Sequence, residues 1–268
     1  MQEDLERVCY GYKGILYISV ILIGLGIIGI ALGITLALLT YPIWVLVVFW
    51  ALGVILLASG IFWHVTMGFT YDTQKMGSIK DGFLDEVKSI WDGRGKVLDV
   101  GTGRGWAAIE IARRFPESQV VGIDIWTKFF SLMGQTKEGA EKNAVMANVT
   151  DRCTFQYSNA LNLPFNDGEF QLVVSSFTFH EVHAPDRTVL FKEIARVLAP
   201  GGTFLILDFF AGSFVKMYKV NSGSELLEKV QKLGIEGAKI KALKETGVDL
   251  GRFYRRFWEV DFFSGRKV

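Results

Sequence analysis

Two stretches near the front of the chain, residues 14–39 and 43–63, contain no charged side chain. As a helix, each is long enough to cross roughly 30 Å of hydrocarbon at about 1.5 Å per residue. Only Thr40, Tyr41 and Pro42 lie between them, so the two helices must run antiparallel. Pro42 suits the first turn of the second helix, where its missing N–H costs nothing. A signal peptide would carry a shorter apolar run with no second one directly behind it. Residues 1–66 are therefore predicted to form a two-helix transmembrane hairpin, 67–95 a linker and leading helix, and 96–268 a separate domain.

Arg7 and Lys13 precede the first helix and Lys75 and Lys80 follow the second, while the turn has no basic residue. The positive-inside rule then places both termini and the domain behind them in the cytoplasm. Tyr10, Tyr12, Tyr17, Trp63, Phe69 and Tyr71 stand at positions suited to the membrane interface. Gly29 and Gly33 form a small-xxx-small pair that packs the helices on each other or joins two copies as a homodimer. Two cysteines, Cys9 and Cys153, make neither a disulfide framework nor a metal cluster, and Cys9 is either a juxtamembrane acylation site or, as most such cysteines are, a reduced thiol. A net charge of +1 gives no bulk electrostatic reason to expect a nucleic-acid partner.

The domain is organised around KVLDVGTGRGWAAIEIARR, residues 96–114. An apolar run interrupted by Asp99 leads into glycines at 101, 103 and 105, then into apolar residues at helical spacing that close on Arg113 and Arg114. This is strand, glycine loop, helix, and the loop lets a ligand approach backbone closely. A dinucleotide fingerprint read from Gly101 would put Trp106 where a third small residue belongs, which argues against a nicotinamide oxidoreductase. A second buried run, residues 120–125, contains Asp124 near its end, where a carboxylate can accept both ribose hydroxyls of an adenosine. The segment 159–165, a strand at 170–175 and EIARVLAPGGTFLILDF at 193–209 follow. Residues 76–91 read as an amphipathic helix, and the strand–helix alternation from 95 onward predicts a parallel sheet with helices on both faces. Past residue 209, helices at 224–233 and 238–245 and a final hairpin of 252–260 with 262–268 are expected.

The pattern D-x-G-x-G-x-G, with the later segments in the same order, resembles the class I S-adenosylmethionine-dependent methyltransferases over about 110 residues. The resemblance implies an α/β fold: a Rossmann-like seven-stranded sheet, here behind the hairpin, with the last strand antiparallel to the rest. It also implies S-adenosylmethionine as cofactor, bound by Asp99, Gly101, Thr102, Gly103 and Gly105, by Asp124 and Ile125, by Asn159 and Ala160, and by Ser175. Asn159 stands where many members carry aspartate; its amide oxygen still accepts an adenine N–H, without the charge. Leu163-Pro164-Phe165 is either packing around the adenine end or a structural turn. Gly122 to Trp126, Glu138 to Ala144, Asp151-Arg152 and Phe179 to Val182 resemble a narrower, poorly characterised group of these enzymes.

Methyl transfer needs alignment and exclusion of water, and a base only where the acceptor must lose a proton. His180, Glu181 and Asp208 fall just after strands on the carboxyl edge of the sheet, with His180 as candidate base or orienting group. The H-E-x-H spacing of His180, Glu181 and His183 lacks metal-site geometry, so no metal is expected. The insert 127–137 carries Phe129, Phe130, Leu132 and Met133, either as a lid or membrane-facing opening or as a packed turn. Arg252, Arg255, Arg256, Arg266 and Lys267 make the C-terminal end basic, facing lipid headgroups or solvent. The chain thus reads as an integral membrane methyltransferase acting on a small or lipidic acceptor. The rival is a non-catalytic module that binds the nucleoside or scaffolds a membrane complex.

Overall fold

The computed structural model describes residues 13–66, 73–132, 134–251 and 259–268. They fall into two compact units, one built on two apolar helices within Gly11–Met76 and also taking in Leu132 and Gly134, and one made of Gly77–Ser131 with Gln135–Val268.

In the first unit, α1 (Lys13–Leu38) and α2 (Ile43–Thr66) pack along a glycine seam. A Cβ on Gly26 would stand 2.6 Å from the Leu57 nitrogen, and one on Gly53 would stand 2.8 Å from the Ile30 nitrogen. Gly29 faces Gly53, and Gly33 receives the ring of Trp50, so both members of the expected pair serve packing within one chain. Away from the seam the helices expose apolar side chains, with Ile43 77% and Trp44 68% accessible. Both are long and apolar enough to cross a membrane. Arg7, Cys9, Tyr10, Tyr12, Phe69 and Tyr71 lie outside the described residues.

From Gly77 the second unit takes up α3 (Thr73–Ile90), whose Phe83 meets the Trp106 ring edge-on at 5.2 Å and the Phe262 ring at 6.4 Å. The elements that follow are β1 (Gly95–Val100), α4 (Trp106–Arg114), β2 (Ser118–Asp124), α5 (Lys128–Leu132), α6 (Lys137–Met146) and β3 (Cys153–Tyr157). Then come β4 (Phe170–Ser176), α7 (Thr188–Val197), β5 (Leu198–Asp208), α8 (Gly223–Gln231), β6 (Ile235–Ala242) and β7 (Asp261–Lys267). The seven strands form one sheet ordered β3-β2-β1-β4-β5-β7-β6, parallel except for β7. The central strands are buried on both faces, which is why their sequences are apolar almost without a break. Chain order reverses between β1 and β4, opening a crevice at the carboxyl ends where ligands of such sheets sit.

Two expectations for the C-terminal third are corrected. Residues 238–242 are not helical: they belong to β6, and only Leu243–Thr246 winds into a 3-10 turn. Ala, Lys, Leu and Glu give this stretch good helix propensity, yet pairing of Lys239–Ala242 with β7 overrides it. Ala238 and Ile240 pack on the core while Lys241 reaches Glu86 of α3, which is a period of two. Residues 252–258 lie outside the described residues, and where a hairpin with 252–260 was expected, the partners of β7 are β5 and β6, between which it inserts. Its basic end is spent internally, with Arg266 Nε donating to the Gly201 carbonyl (3.1 Å) and Lys267 Nζ to that of Leu198 (2.8 Å).

Candidate functional site

The turn after β1 is laced to the end of β2. Gly101 N–H and Thr102 N–H both donate to the Ile123 carbonyl, at 2.8 and 2.9 Å. Gly101, Gly103 and Gly105 all take positive φ, 74°, 54° and 82°. At Gly101 the requirement is doubly strict, because a Cβ there would collide with the Thr178 side chain. Asp99 lies beneath the loop, 1% exposed, accepting from Thr102 Oγ1 (2.7 Å) and from Ala108 N–H in the first turn of α4 (3.2 Å). Burial pushes its carboxyl up to about 7. Its other oxygen has no hydrogen-bond partner among the described residues. Ser175, also buried, donates to the Val100 carbonyl at 2.7 Å and ties β4 to the start of the loop.

Asp124 turns toward the loop. One carboxylate oxygen accepts Gly103 N–H at 2.9 Å and the other accepts Trp126 N–H at 2.8 Å. Trp126 in turn donates its indole N–H to the Gly103 carbonyl at 2.8 Å, so the Gly103 residue is held through both its backbone polar groups. Burial raises the Asp124 carboxyl above the usual carboxylate range, against the pull of those N–H donors. Each of its oxygens keeps a second lone pair, enough for two vicinal hydroxyls. Ile125 is exposed, and Ser158 N–H returns to the Asp124 carbonyl at 3.0 Å, which brings Asn159 and Ala160 to the same edge. The Asn159 amide oxygen accepts Leu161 N–H at 2.9 Å. Leu163 and Phe165 behave as a structural turn: Leu163 is 4% exposed and the Phe165 ring stacks edge-on against Phe170 at 4.9 Å.

The second half of the site follows β4 and β5. Thr178 shares its hydroxyl proton between the Gly101 and Ser176 carbonyls (3.2 and 3.1 Å), fastening the glycine loop to the 3-10 turn Phe179–Glu181. Asp208, at the end of β5, is fully buried and accepts four donors: Phe179 N–H (2.7 Å), His180 N–H (3.3 Å), Phe209 N–H (2.8 Å) and His180 Nδ1 (2.8 Å). A carboxylate only accepts, so Nδ1 carries the proton and Nε2 keeps its lone pair. Nε2 lies 3.7 Å from Glu181 Oε1, beyond hydrogen-bond reach. The His180 ring meets Phe209 edge-on at 4.8 Å and 23% of the side chain stays accessible. Burial pulls its pKa down, but the bond to Asp208 and the charges of Asp208 and Glu181 more than reverse this, leaving it raised. Partial desolvation lifts the Glu181 carboxyl to about 7 against the pull of His180, and the Asp208 and Asp124 charges add to the rise. The Asp124 charge also acts on Glu181; Asp124 ends β2 and Glu181 follows β4, both at the carboxyl edge of the sheet.

The structure brings Gly101, Gly103, Asp124, His180, Glu181 and Asp208 to that edge. Asp99, Thr102 and Ser175 support it from below. Asp208 is fully buried and bonded on both oxygens, one of which holds His180 Nδ1. Trp126, Thr178 and Gln135 (whose amide oxygen would stand 3.1 Å from a Cβ on Gly103) were not foreseen as parts of the site. Trp126 had a local signal in its place beside the acid, whereas Thr178 and Gln135 converge only through tertiary structure.

Residues 97–202 match a family profile described as a methyltransferase domain. The chain is 34% identical over 114 residues to the 27-O-demethylrifamycin SV methyltransferase of Amycolatopsis mediterranei (strain S699), covering 42% of this chain and 38% of that protein. It is 36% identical over 122 residues to the ubiquinone/menaquinone biosynthesis C-methyltransferase UbiE of Geotalea daltonii, covering 45% of this chain and 48% of that one. The chain thus spans less than half the length of these curated relatives. Among solved structures, it is similar to geranyl diphosphate C-methyltransferase from Streptomyces coelicolor A3(2), determined with S-adenosyl-L-homocysteine. That similarity has a TM-score of 0.55 at 16% identity, over 76% of this chain and 82% of that one, and it shows the fold.

Proposed function

We propose that this chain, whose residues 97–202 match a methyltransferase-domain profile, is a membrane-anchored methyltransferase of the class I S-adenosylmethionine-dependent type. The observation that carries the reading is the pairing, on one sheet edge, of an Asp124–Gly103 clamp with a His180–Asp208 dyad. The free lone pairs of Asp124 hold the ribose hydroxyls, the glycine loop admits the amino-acid portion, and Asn159 and Ala160 border the adenine. When bound, the cofactor supplies a methyl group on a sulfonium that needs no further activation. His180 Nε2 takes the proton that the acceptor gives up as its new bond to carbon forms. Asp208 fixes the His180 tautomer and stabilises the imidazolium. Such a base favours an acceptor with an ionisable hydroxyl or an activated C–H.

The two apolar helices anchor the enzyme as a hairpin of residues 1–66, with 67–95 as linker and leading helix and 96–268 as the catalytic domain. The basic residues Arg7, Lys13, Lys75 and Lys80 favour a cytoplasmic location for both ends. An anchor concentrates the enzyme where amphiphilic acceptors reside, and the similarity to a quinone-biosynthesis enzyme supports a quinol or a comparable lipid phenol. The test is transfer of isotopically labelled methyl from S-adenosylmethionine into total lipid extract by the purified protein in nanodiscs. Label is expected in a lipid phenol, and His180→Gln should slow transfer about 10²–10⁴-fold while leaving cofactor affinity unchanged. Binding without transfer to any acceptor would instead identify a non-catalytic module.

A further inference from the structure

Beyond Thr66, the large apolar side chains that stand exposed among the described residues are Ile125, Phe129, Leu132, Val145, Tyr157 and Val268. Three of these six fall between β2 and α6, with Ile125 56%, Phe129 59% and Leu132 89% accessible. Phe129 and Leu132 are three residues apart on α5 and so share a face. Isolated exposed apolar residues need no explanation, but a cluster on one short element does.

The base of this segment is firmly built. Trp126 donates to the Gly103 carbonyl, Ser131 Oγ donates to the Trp126 carbonyl at 3.1 Å, and Gln135 N–H closes onto the Phe130 carbonyl at 3.0 Å. Phe130 is half-buried and braces Phe129 edge-on at 5.4 Å. The apolar tip is thus held outward on a fixed base. Between Ile125 and Thr136 the sole charged side chain is Lys128, itself exposed, and there is no carboxylate.

We propose that the segment from Ile125 to Leu132 docks on the bilayer surface, with Phe129 and Leu132 entering the acyl boundary and Lys128 meeting anionic headgroups. The inference rests on the anchored reading above. Chain connectivity supports a bilayer as the occupant. α2 ends at Thr66 and the α/β unit begins at Gly77, and an intervening stretch of this length extends at most about 3.5 Å per residue. A domain tethered so closely meets the membrane surface at very high effective concentration, so a small patch suffices to engage it. Apolar side chains flanked by a cation and free of carboxylates match the composition of interfacial segments. Because Trp126 and Gln135 both lie against Gly103, docking would also steady the glycine loop from the membrane side.

The experiment uses the full chain in nanodiscs of phosphatidylcholine and phosphatidylglycerol, with Cys9→Ser to remove one native thiol and Cys153 left buried. A nitroxide is attached at Leu132→Cys, with Val47→Cys in α2 as the hydrocarbon reference and Lys232→Cys as the aqueous one. Collision with oxygen is compared with collision with a water-soluble nickel chelate. At Leu132 the oxygen collisions should dominate, as at Val47 and opposite to Lys232. Nickel-dominated collisions at Leu132 beside an oxygen-dominated Val47 would overturn the docking and leave the anchor standing. A Leu132 label shielded from both reagents would mean packing on protein and would overturn it equally. An aqueous Val47 would remove the anchored reading and this inference together.

Discussion

Asp208 and His180 show how one buried carboxylate sets the chemistry of a partly exposed ring. All four groups that meet Asp208 are donors, three backbone N–H groups and His180 Nδ1. Asn at this position would have to turn its own NH₂ toward two of them. It either opens the Phe179–His180 turn or forces the wrong tautomer on the ring, so Asp208→Asn should cost about 10²–10⁴ in kcat. The sign of the pH dependence follows from the raised pKa of His180. The ring accepts a proton only when neutral, so the rate of the native enzyme rises with pH through a value above 6.5, the ordinary imidazole value. Removing the Asp208 charge and its hydrogen bond lets burial dominate, and the limb of the residual activity moves to lower pH. A pH profile of kcat in both proteins checks this, and an unmoved limb would detach Asp208 from the base. The glycines and Asp124 were legible in the sequence because strand, loop, helix and following strand fix their positions locally. Asp208 was legible as a strand-end acid, but its burial, and hence its positioning role, came from the turn folded over it.

At the scale of elements, periodicity succeeded wherever a segment had a single environment. The parallel strands β1, β2, β4 and β5 are buried on both faces and read as apolar runs, and α3 and α4 carry clear stripes. β6 failed because it has one packed and one polar face, and residues with good helix propensity obscure its alternation. β7 was recognised as a strand but given the wrong partner, since strand insertion at the far side of a sheet leaves no local trace. The α1–α2 pair allows a sharper test of packing. A methyl at Gly53 would press on backbone at 2.8 Å, whereas Gly24 has nothing within 4 Å. Gly53→Ala should destabilise the pair by about 1–3 kcal/mol and Gly24→Ala should be neutral. Thermal unfolding in detergent, followed through the tryptophans of α2, would separate them. Equal midpoints would mean the seam is not where the helices meet.

For the molecule as a whole, the front of the chain supplies two outward-apolar helices and the rest a seven-stranded sheet whose crevice collects a glycine loop, an acid and a histidine dyad. Methyl transfer by this chain requires that the crevice hold S-adenosylmethionine through Asp124. The direct measurement is calorimetric titration of the full chain in nanodiscs with S-adenosylhomocysteine, beside the Asp124→Ala variant. We expect one site per chain in the native protein and a loss of roughly 1.5–3 kcal/mol, about 10–150-fold in Kd, when the carboxylate is removed. Native protein that takes up no ligand, or a variant that binds as tightly as the native, would contradict it.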